Sequence, residues 1–434
     1  MRVLLFALAA SLAAGVLSGL YPALKTTKPD VAATLKDEGG RTGTGAASRL
    51  RKGLVAAQIA VSLLLLISAG LFSKSLLNLS RVDLGFRTDH LLTFSLSPKL
   101  NKYDDARTAA LYEQLLARLT AVPGAESASG SNIPAIADSI SSLSISIDGF
   151  TPADGNAVDV NTAVLAPDYF RTLGIPLVAG RDFSLSDAAK TPGVTIVNQA
   201  FARKFLNGRD PLGRSLTLAK KRLQIVGVIA DTKYSSVKEA PPAVFYTAQR
   251  QQDQQQAMFF YLRTRTPPEN TASAVRRAVA ELDAGLPLRN LRTMDAQIRE
   301  NIFEDRIMTQ LTALFAGLAA LLAGAGIYGV LAYNVARRTR EIGIRAALGA
   351  TTRRVRAMVL GEAVWMLAIG ALFGLAGAAG ATRLLASQLF GLQPWDPIVY
   401  LAATALLTAL TLISAYLPAR AASAVDPMTA LRNE

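Results

Sequence analysis

Apolar residues gather in five runs, at about 3–21, 54–77, 311–333, 357–381 and 398–417. Each approaches the roughly 20 residues needed to cross bilayer hydrocarbon as a helix. Between the second and third runs, at about 81–305, the chain is too polar for lipid and long enough to bury its own core. There, residues 91–96 and 143–147 alternate like half-buried strands, and 106–120 carries Leu111, Leu115, Leu116 and Leu119 at helical spacing. Short β-rich runs at 194–197 and 223–229 predict further strands, with a helix at 198–205 between them and another at 271–282. The pattern predicts an α-helical multi-pass membrane protein of about five transmembrane helices with a large mixed α/β domain, in one lobe or two.

Charge gives this outline a direction. The 434-residue chain is 51% hydrophobic and carries a formal net charge of +14, which raises nucleic-acid binding as a reading. The polar insert holds 26 basic against 24 acidic residues, so the excess lies elsewhere. Residues 24–52 have seven basic against three acidic side chains, and residues 337–356 have seven arginines against Glu341 alone. Basic segments flanking apolar runs are the positive-inside signature. They predict a cytoplasmic location for both segments, an extracytoplasmic insert, an outside N-terminus and an inside C-terminus, and they argue against nucleic acid as a partner.

The two ends of the chain resemble one another. SGLYPALKTTKPDVAATLK, residues 18–36, aligns without a gap on SAYLPARAASAVDPMTALR, residues 414–432, matching Ser18, Pro22, Ala23, Asp30 and Leu35 to Ser414, Pro418, Ala419, Asp426 and Leu431. Each copy follows an apolar run, so the chain reads as the tail of one structural unit, cut off at Met1, followed by a complete second unit. The first run also has the basic start, apolar core and small residues of a secretory signal peptide. The repeat favours the membrane helix.

Several motifs carry less chemistry than their spelling suggests. GRDPLGRS at 208–215 has the glycine spacing of a phosphate loop, but leads toward a strand instead of a helix. Gly324, Gly326 and Gly329 lie inside an apolar run, where small residues let helices approach closely. Gly370, Gly374, Gly377 and Gly380 recur every three or four residues on one broad helical face and predict tight packing against a neighbouring helix or a second subunit. Glu362 reads as an interfacial acid near the inner end of the fourth run, with an ion path as the alternative.

No catalytic constellation emerges. His90 is the single histidine, which excludes multi-histidine zinc sites, and one beside no nucleophile motif supports no triad. Cysteine is absent, which removes disulfides and thiolate metal sites. Asp168, Asp182 and Asp231 sit beside turn signals, where aspartate commonly bonds local backbone. The expectation is a protein that is not an enzyme and holds no cofactor or metal; a membrane-bound hydrolase ranks last.

The segment RRTREIGIRAALGATTRRVR, residues 337–356, places Ile342, Ile344, Ala347 and Leu348 among arginines. It predicts a short amphipathic helix along the cytoplasmic interface, with Gly349 as its stop and Thr351 or Thr352 capping the next helix. An ordinary basic loop touching anionic membrane lipid fits the same charge pattern.

One span, a large insert and three further spans, with RTREIGIRAALGA after the second span of the unit and LPARAASAVDPMTALR at the end, resemble the MacB/FtsX family of ABC transporter permeases. LAPDYFRTLGIPLVAGRDF, VTIVNQAFARKFLNGRDPLGRSL and LQIVGVIADTKYSSV in the insert are similar to that family's periplasmic core domain. The repeated tail resembles the duplicated permeases of acidobacteria, from which this chain departs by lacking most of the first unit. The resemblance implies four parts: residues 1–40 as the end of a truncated first unit, 41–80 as linker and first helix of the second, 81–305 as periplasmic core domain and 306–434 as an FtsX-like domain. It also implies that Arg340, Glu341, Gly343, Arg345, Leu348 and Gly349 meet a separate ATPase subunit. ATP and Mg would be held there, since no complete Walker motif occurs in this chain. The implied activity is mechanotransmission in the bacterial inner membrane, driving efflux or envelope export. Implied partners are a second permease copy and a periplasmic adaptor or substrate. The alternative is an ATP-independent membrane-anchored receptor or scaffold for an envelope partner.

Overall fold

The computed structural model describes residues 44–150, 157–348, 350–393 and 395–424, preceded by isolated positions at Leu5, Leu8, Ala9, Ser11, Leu12 and Val16. Of the helix expected at 3–21 only those six positions are described, each of them helical, while the first copy of the repeat and the part of the second copy beyond 424 lie outside the described residues. The chain forms two compact units, one of residues 72–311 with 387–392 and one of the segments up to 71, 312–386 and from 393 onward.

In chain order the elements are α1 (Thr44–Ser80), β1 (Leu91–Leu96), α2 (Asp105–Thr120), β2 (Ala125–Ser131), β3 (Ser142–Ile147), β4 (Val158–Leu165), α3 (Tyr169–Leu173), β5 (Leu177–Gly180), β6 (Val194–Asn198), α4 (Gln199–Phe205), β7 (Ser215–Leu218), β8 (Lys221–Ile229) and β9 (Val244–Ala248). There follow β10 (Met258–Thr264), α5 (Ala272–Ala280), β11 (Arg289–Thr293), α6 (Met294–Asn301), α7 (Phe303–Arg337), α8 (Thr339–Ala347), α9 (Thr352–Leu384) and α10 (Pro397–Ser423). Side chains set several boundaries. Asp104 opens α2 by accepting from the Arg107 amide at 2.7 Å, and Asn198 opens α4 by accepting from the Phe201 amide at 3.0 Å. Such caps satisfy amides that have no partner inside the helix.

The α/β unit has two lobes, a division that periodicity left open. In the first, β11, β1, β10 and β2 form an antiparallel sheet. Its core joins Leu92, Phe94, Phe260 and Leu262 of the sheet to Leu111, Tyr112 and Leu115 of α2 and Val275 of α5. In the second, β4, β3, β7, β8, β6 and β9 pair in turn, and the ring closes through parallel pairing of β9 with β4. Closure removes exposed sheet edges. Ile145, Val160, Phe201, Leu216, Ile225 and Phe245 belong to its core. The lobes meet where Ser131 of β2 pairs with Leu165 of β4, and a third apolar cluster containing Tyr169, Phe170, Tyr246 and Tyr261 draws on both.

In the helical unit, Ile59, Leu63 and Ile67 of α1 are fully buried. Gly370 and Gly374 of α9 let it approach: a Cβ at Gly370 would stand 2.6 Å from the Ile59 Cβ, and one at Gly374 would stand 2.9 Å from the Ala60 carbonyl oxygen. Ser62 of α1 donates to the Ala319 carbonyl of α7 at 2.8 Å, and Gly70 faces Val399 of α10. Among the described residues, Arg49–Ser80, Phe303–Arg337, Thr352–Leu384 and Pro397–Ser423 are the four helices long and apolar enough to cross a membrane. Large apolar side chains at Leu321, Leu322, Leu401 and Ile413 remain more than half exposed, as expected of surfaces meeting lipid. Helices α1, α7 and α9 overrun their apolar sequence runs by several residues at both ends, and α10 does so at its C-terminal end.

Candidate functional site

The arginine-rich turn between α7 and α9 is a helix with little loop on either side. The Arg338 amide still bonds the Asn334 carbonyl at 3.1 Å, and the Ile342 amide bonds the Arg338 carbonyl at 2.9 Å, so helical bonding continues across the junction into α8. Ile342 is 2% exposed and Gly343 is also buried, while Arg340, Glu341, Arg345 and Leu348 face outward. Leu348 is 82% exposed, an uncommon cost for a large aliphatic side chain beside water. Glu341 and Arg345, one helical turn apart, pair at 2.6 Å.

Gly343 is thus buried beside Ile342, whereas Arg340, Glu341, Arg345 and Leu348 of the expected docking set are exposed. Gly349 lies outside the described residues. Thr351 occupies the cap position of α9, yet its hydroxyl makes no capping bond. A pocket of about 490 Å³ opens beside α8, with Ile342, Arg345, Leu348, Arg354 and Met358 among its walls. Apolar surface rimmed by arginine suits a protein partner with matching apolar and acidic groups.

Behind this surface stands a polar cluster that sequence reasoning missed. Glu362 of α9 receives Arg338 at 2.8 Å, Asn334 of α7 at 3.1 Å and Lys52 of α1 at 3.1 Å. Its side chain is 20% exposed. Glu362 thus ties three helices together. The acid was visible in the sequence, but its partners lie 24, 28 and 310 positions away. Nearby, the Arg51 guanidinium lies 4.2 Å from the Tyr333 ring centre, and Arg356 donates to Ser423 at 2.9 Å, joining α9 to the end of α10.

The glycines of α9 divide. Gly370 and Gly374 lie against α1, Gly377 faces Leu64 with 3.4 Å between a built Cβ and its Cδ1, and Gly380 has nothing within 4 Å. In α7, Gly324 faces Ser414 of α10 and Gly326 faces Gln58 of α1, while Gly329 meets nothing within 4 Å.

The nominated groups of the α/β unit have local roles. Gly208 and Gly213 take positive φ angles in a turn that leads into β7, where Arg214 donates to the Asp210 carbonyl at 2.9 Å. His90 Nδ1 lies 3.0 Å from the Thr266 carbonyl oxygen. Asp231 accepts from the Ala200 amide at 2.6 Å and from Arg203, and Asp168 stands 3.8 Å from Arg171. Asp182 accepts from the Phe183 amide at 2.6 Å; burial pushes its carboxyl up to about 6 despite that bond. Among the described residues, no group of three or more His, Cys, Asp or Glu is arranged to hold a metal ion.

Among the described residues, four membrane-length helices, with a large α/β domain inserted between the first two and an exposed basic helix between the second and third, give the architecture of a multi-pass membrane protein. The MacB-like periplasmic core domain matches residues 53–282, more than half of the chain, and the FtsX-like permease C-terminal domain matches residues 313–427. The chain belongs to the MacB/FtsX family of ABC transporter permeases. A macrolide export ATP-binding/permease protein MacB of Azoarcus sp. is 29% identical over 280 residues, covering 60% of this chain and 40% of that protein. A pyoverdine export ATP-binding/permease protein PvdT of Pseudomonas putida is 28% identical over 274 residues, covering 60% and 41%. The chain thus spans under half the length of the curated relatives it matches. The crystal structure of the periplasmic region of MacB from Actinobacillus actinomycetemcomitans aligns with a TM-score of 0.36 and 14% identity, covering 50% of this chain and 94% of that one.

Proposed function

We propose that this permease works by mechanotransmission in the bacterial inner membrane. A separate ATPase subunit docks on α8, and its cycle of ATP binding and hydrolysis moves the periplasmic domain to drive efflux or envelope export. The observation that carries the reading is the exposed Leu348 beside the arginine-rimmed pocket, directly after α8, which follows the 35-residue α7. At 1.5 Å per residue, α7 is about 50 Å long and gives a stiff connection along the chain. A partner moves a two-state element only by its differential affinity for the states, so docking must change with nucleotide. The tie at Glu362 joins the root of α8 to α1 and α9, which lets a push on α8 reach three helices together.

The chain acts with a second permease copy, and the substrate or an adaptor engages the periplasmic domain. The export functions in the relatives' names support efflux as the direction of work. Exchange of Leu348 for Glu, or of Glu341 for Lys, separately tests the docking surface in proteoliposomes containing the ATPase. The expected result is at least a tenfold loss of permease-stimulated ATP hydrolysis with unchanged membrane insertion. Full stimulation in both variants would remove α8 from the docking surface.

A further inference from the structure

At the base of the α/β unit, the ends of α1 and the segment after it form a groove of about 320 Å³ with α6 and the start of α7. Asp83, Asp295, Arg299 and Arg306 line it, with Ile298 and Ile302 in its apolar wall. The Ile302 amide bonds the Ile298 carbonyl and the Arg306 amide bonds the Ile302 carbonyl, each at 3.1 Å. Helical bonding therefore continues between α6 and α7, and residues 295, 299, 302 and 306 lie along one helical face.

Neighbouring charges have countercharges within the protein: Lys238 pairs with Asp305 at 2.6 Å, and Arg292 pairs with Glu300. Among the described residues, the Arg299 and Arg306 guanidinium groups have no such partner. Asp83 commits one oxygen to the Gly85 amide at 2.8 Å. Asp295 lies in the first turn of α6, where its charge also favours the helix.

The order of these groups follows the membrane. Phe303 and Met308, both more than half exposed, flank Arg306 at the lipid side. Arg299 lies one turn, about 6 Å, beyond Phe303, and Asp295 lies about 6 Å further out. The headgroup layer on each side of the hydrocarbon is of similar thickness, about 5–7 Å. Moving outward along the helix from the apolar run, the groove wall presents Arg306, Ile302, Arg299, Ile298 and then Asp295, so the carboxylate is the outermost of the charged groups on this face.

We propose that this groove binds the headgroup of a zwitterionic aminophospholipid from the adjacent leaflet. Arg306 and Arg299 receive the phosphate, Asp295 and Asp83 receive the primary ammonium further out, and Ile302, between the two arginines, packs against the glycerol backbone. A phosphatidylglycerol headgroup matches the arginines but gives the carboxylates no cation. Phosphatidylcholine brings a cation without N–H donors. The site thus selects by the ammonium and anchors by the phosphate.

The absence of cysteine permits a local reporter in the full-length chain. Ser80→Cys, exposed at the groove wall, is labelled with an environment-sensitive fluorophore, and the protein is placed in phosphatidylcholine nanodiscs with increasing phosphatidylethanolamine or phosphatidylglycerol. The expected signal saturates with phosphatidylethanolamine at a mole fraction at least fivefold lower than with phosphatidylglycerol. Arg299→Gln with Arg306→Gln raises the half-saturation at least tenfold. Asp295→Asn retains a response to both lipids and reduces their difference, a readout that general loosening of the domain would not give. Equal responses to the two lipids, or an unchanged titration in the double arginine variant, would overturn the proposal. Saturation by soluble glycerophosphoethanolamine or inorganic phosphate at the concentration that suffices for the lipid would assign the groove to a free anion and likewise overturn it.

Discussion

Gly370→Ala places one methyl group where α1 and α9 are closest. Its Cβ would stand 2.6 Å from the Ile59 Cβ and 2.8 Å from the Ala56 carbonyl oxygen. Carbon atoms prefer separations of about 3.5–4.0 Å, so the helices must part by about 1 Å or Ile59 must leave its rotamer. Overpacking of this kind costs about 1–3 kcal/mol. In lipid the loss falls directly on van der Waals packing, which carries much of the association between membrane helices. At about 2–4 °C per kcal/mol for a unit of this size, the midpoint should fall by about 2–12 °C. Both tryptophans, Trp365 and Trp395, lie in the helical unit, so intrinsic fluorescence during heating of the detergent-solubilised full chain reports on it. Gly380→Ala is the matched control, because nothing lies within 4 Å of its built Cβ and alanine favours a helix over glycine by about 1 kcal/mol. Its midpoint should stay level or rise. Equal midpoints for Gly370→Ala and the parent, or an equal fall in Gly380→Ala, would refute the packing argument.

Glu362→Gln leaves Lys52 and Arg338 without their shared countercharge and should destabilise the helical unit by about 1–3 kcal/mol. A double-mutant cycle with Lys52→Gln checks this; a coupling energy near zero would show that the tie contributes nothing. Asp182 gives a pH test in the α/β unit, because burial holds its carboxyl at about 6, above the ordinary aspartate value of 3.8. The folded state then holds a proton that the unfolded state has released, so this group's contribution to stability falls as pH rises from about 4 to 6 and is level above. Asp182→Asn should therefore stabilise the chain by about 1–2 kcal/mol at pH 7.5, after allowance for partial exposure, and by little at pH 4. Circular dichroism melts across that range check the difference, and a gain independent of pH would contradict the burial argument.

Local patterning made much of the fold legible. The strand expected at 91–96 is β1 residue for residue, and the helix expected at 106–120 is α2 with Asp105 added at its start. Strand β2 escaped notice because AESASGS has neither β-branched nor aromatic residues, although five of its seven positions are buried. Small side chains are needed there: a Cβ at Gly130 would stand 2.7 Å from the Met258 sulfur on neighbouring β10. Ring closure through β4 and β9 was hidden for another reason, since Asn161 pairs with Val244 far along the chain and no local periodicity encodes partner choice. At the candidate site, sequence identified the basic helix but not which side it buries, so Ile342 and Gly343 turned inward while Leu348 remained outside. Glycine spacing likewise marked one face of α9 without indicating which of its positions α1 covers: Gly370 has a close neighbour and Gly380 has none.

Cross-linking from position 348 in native membranes tests the powered-permease account most directly. With cysteine otherwise absent, Leu348→Cys carries a single thiol-reactive photoprobe, and mass spectrometry identifies what it captures. Capture of a P-loop ATPase, with a yield that changes between ATP-bound and nucleotide-free membranes, is the predicted result. Efficient cytoplasmic labelling at Leu348, Arg345 and Thr351 with no ATPase adduct at any of them would contradict it and favour an unpowered receptor or scaffold.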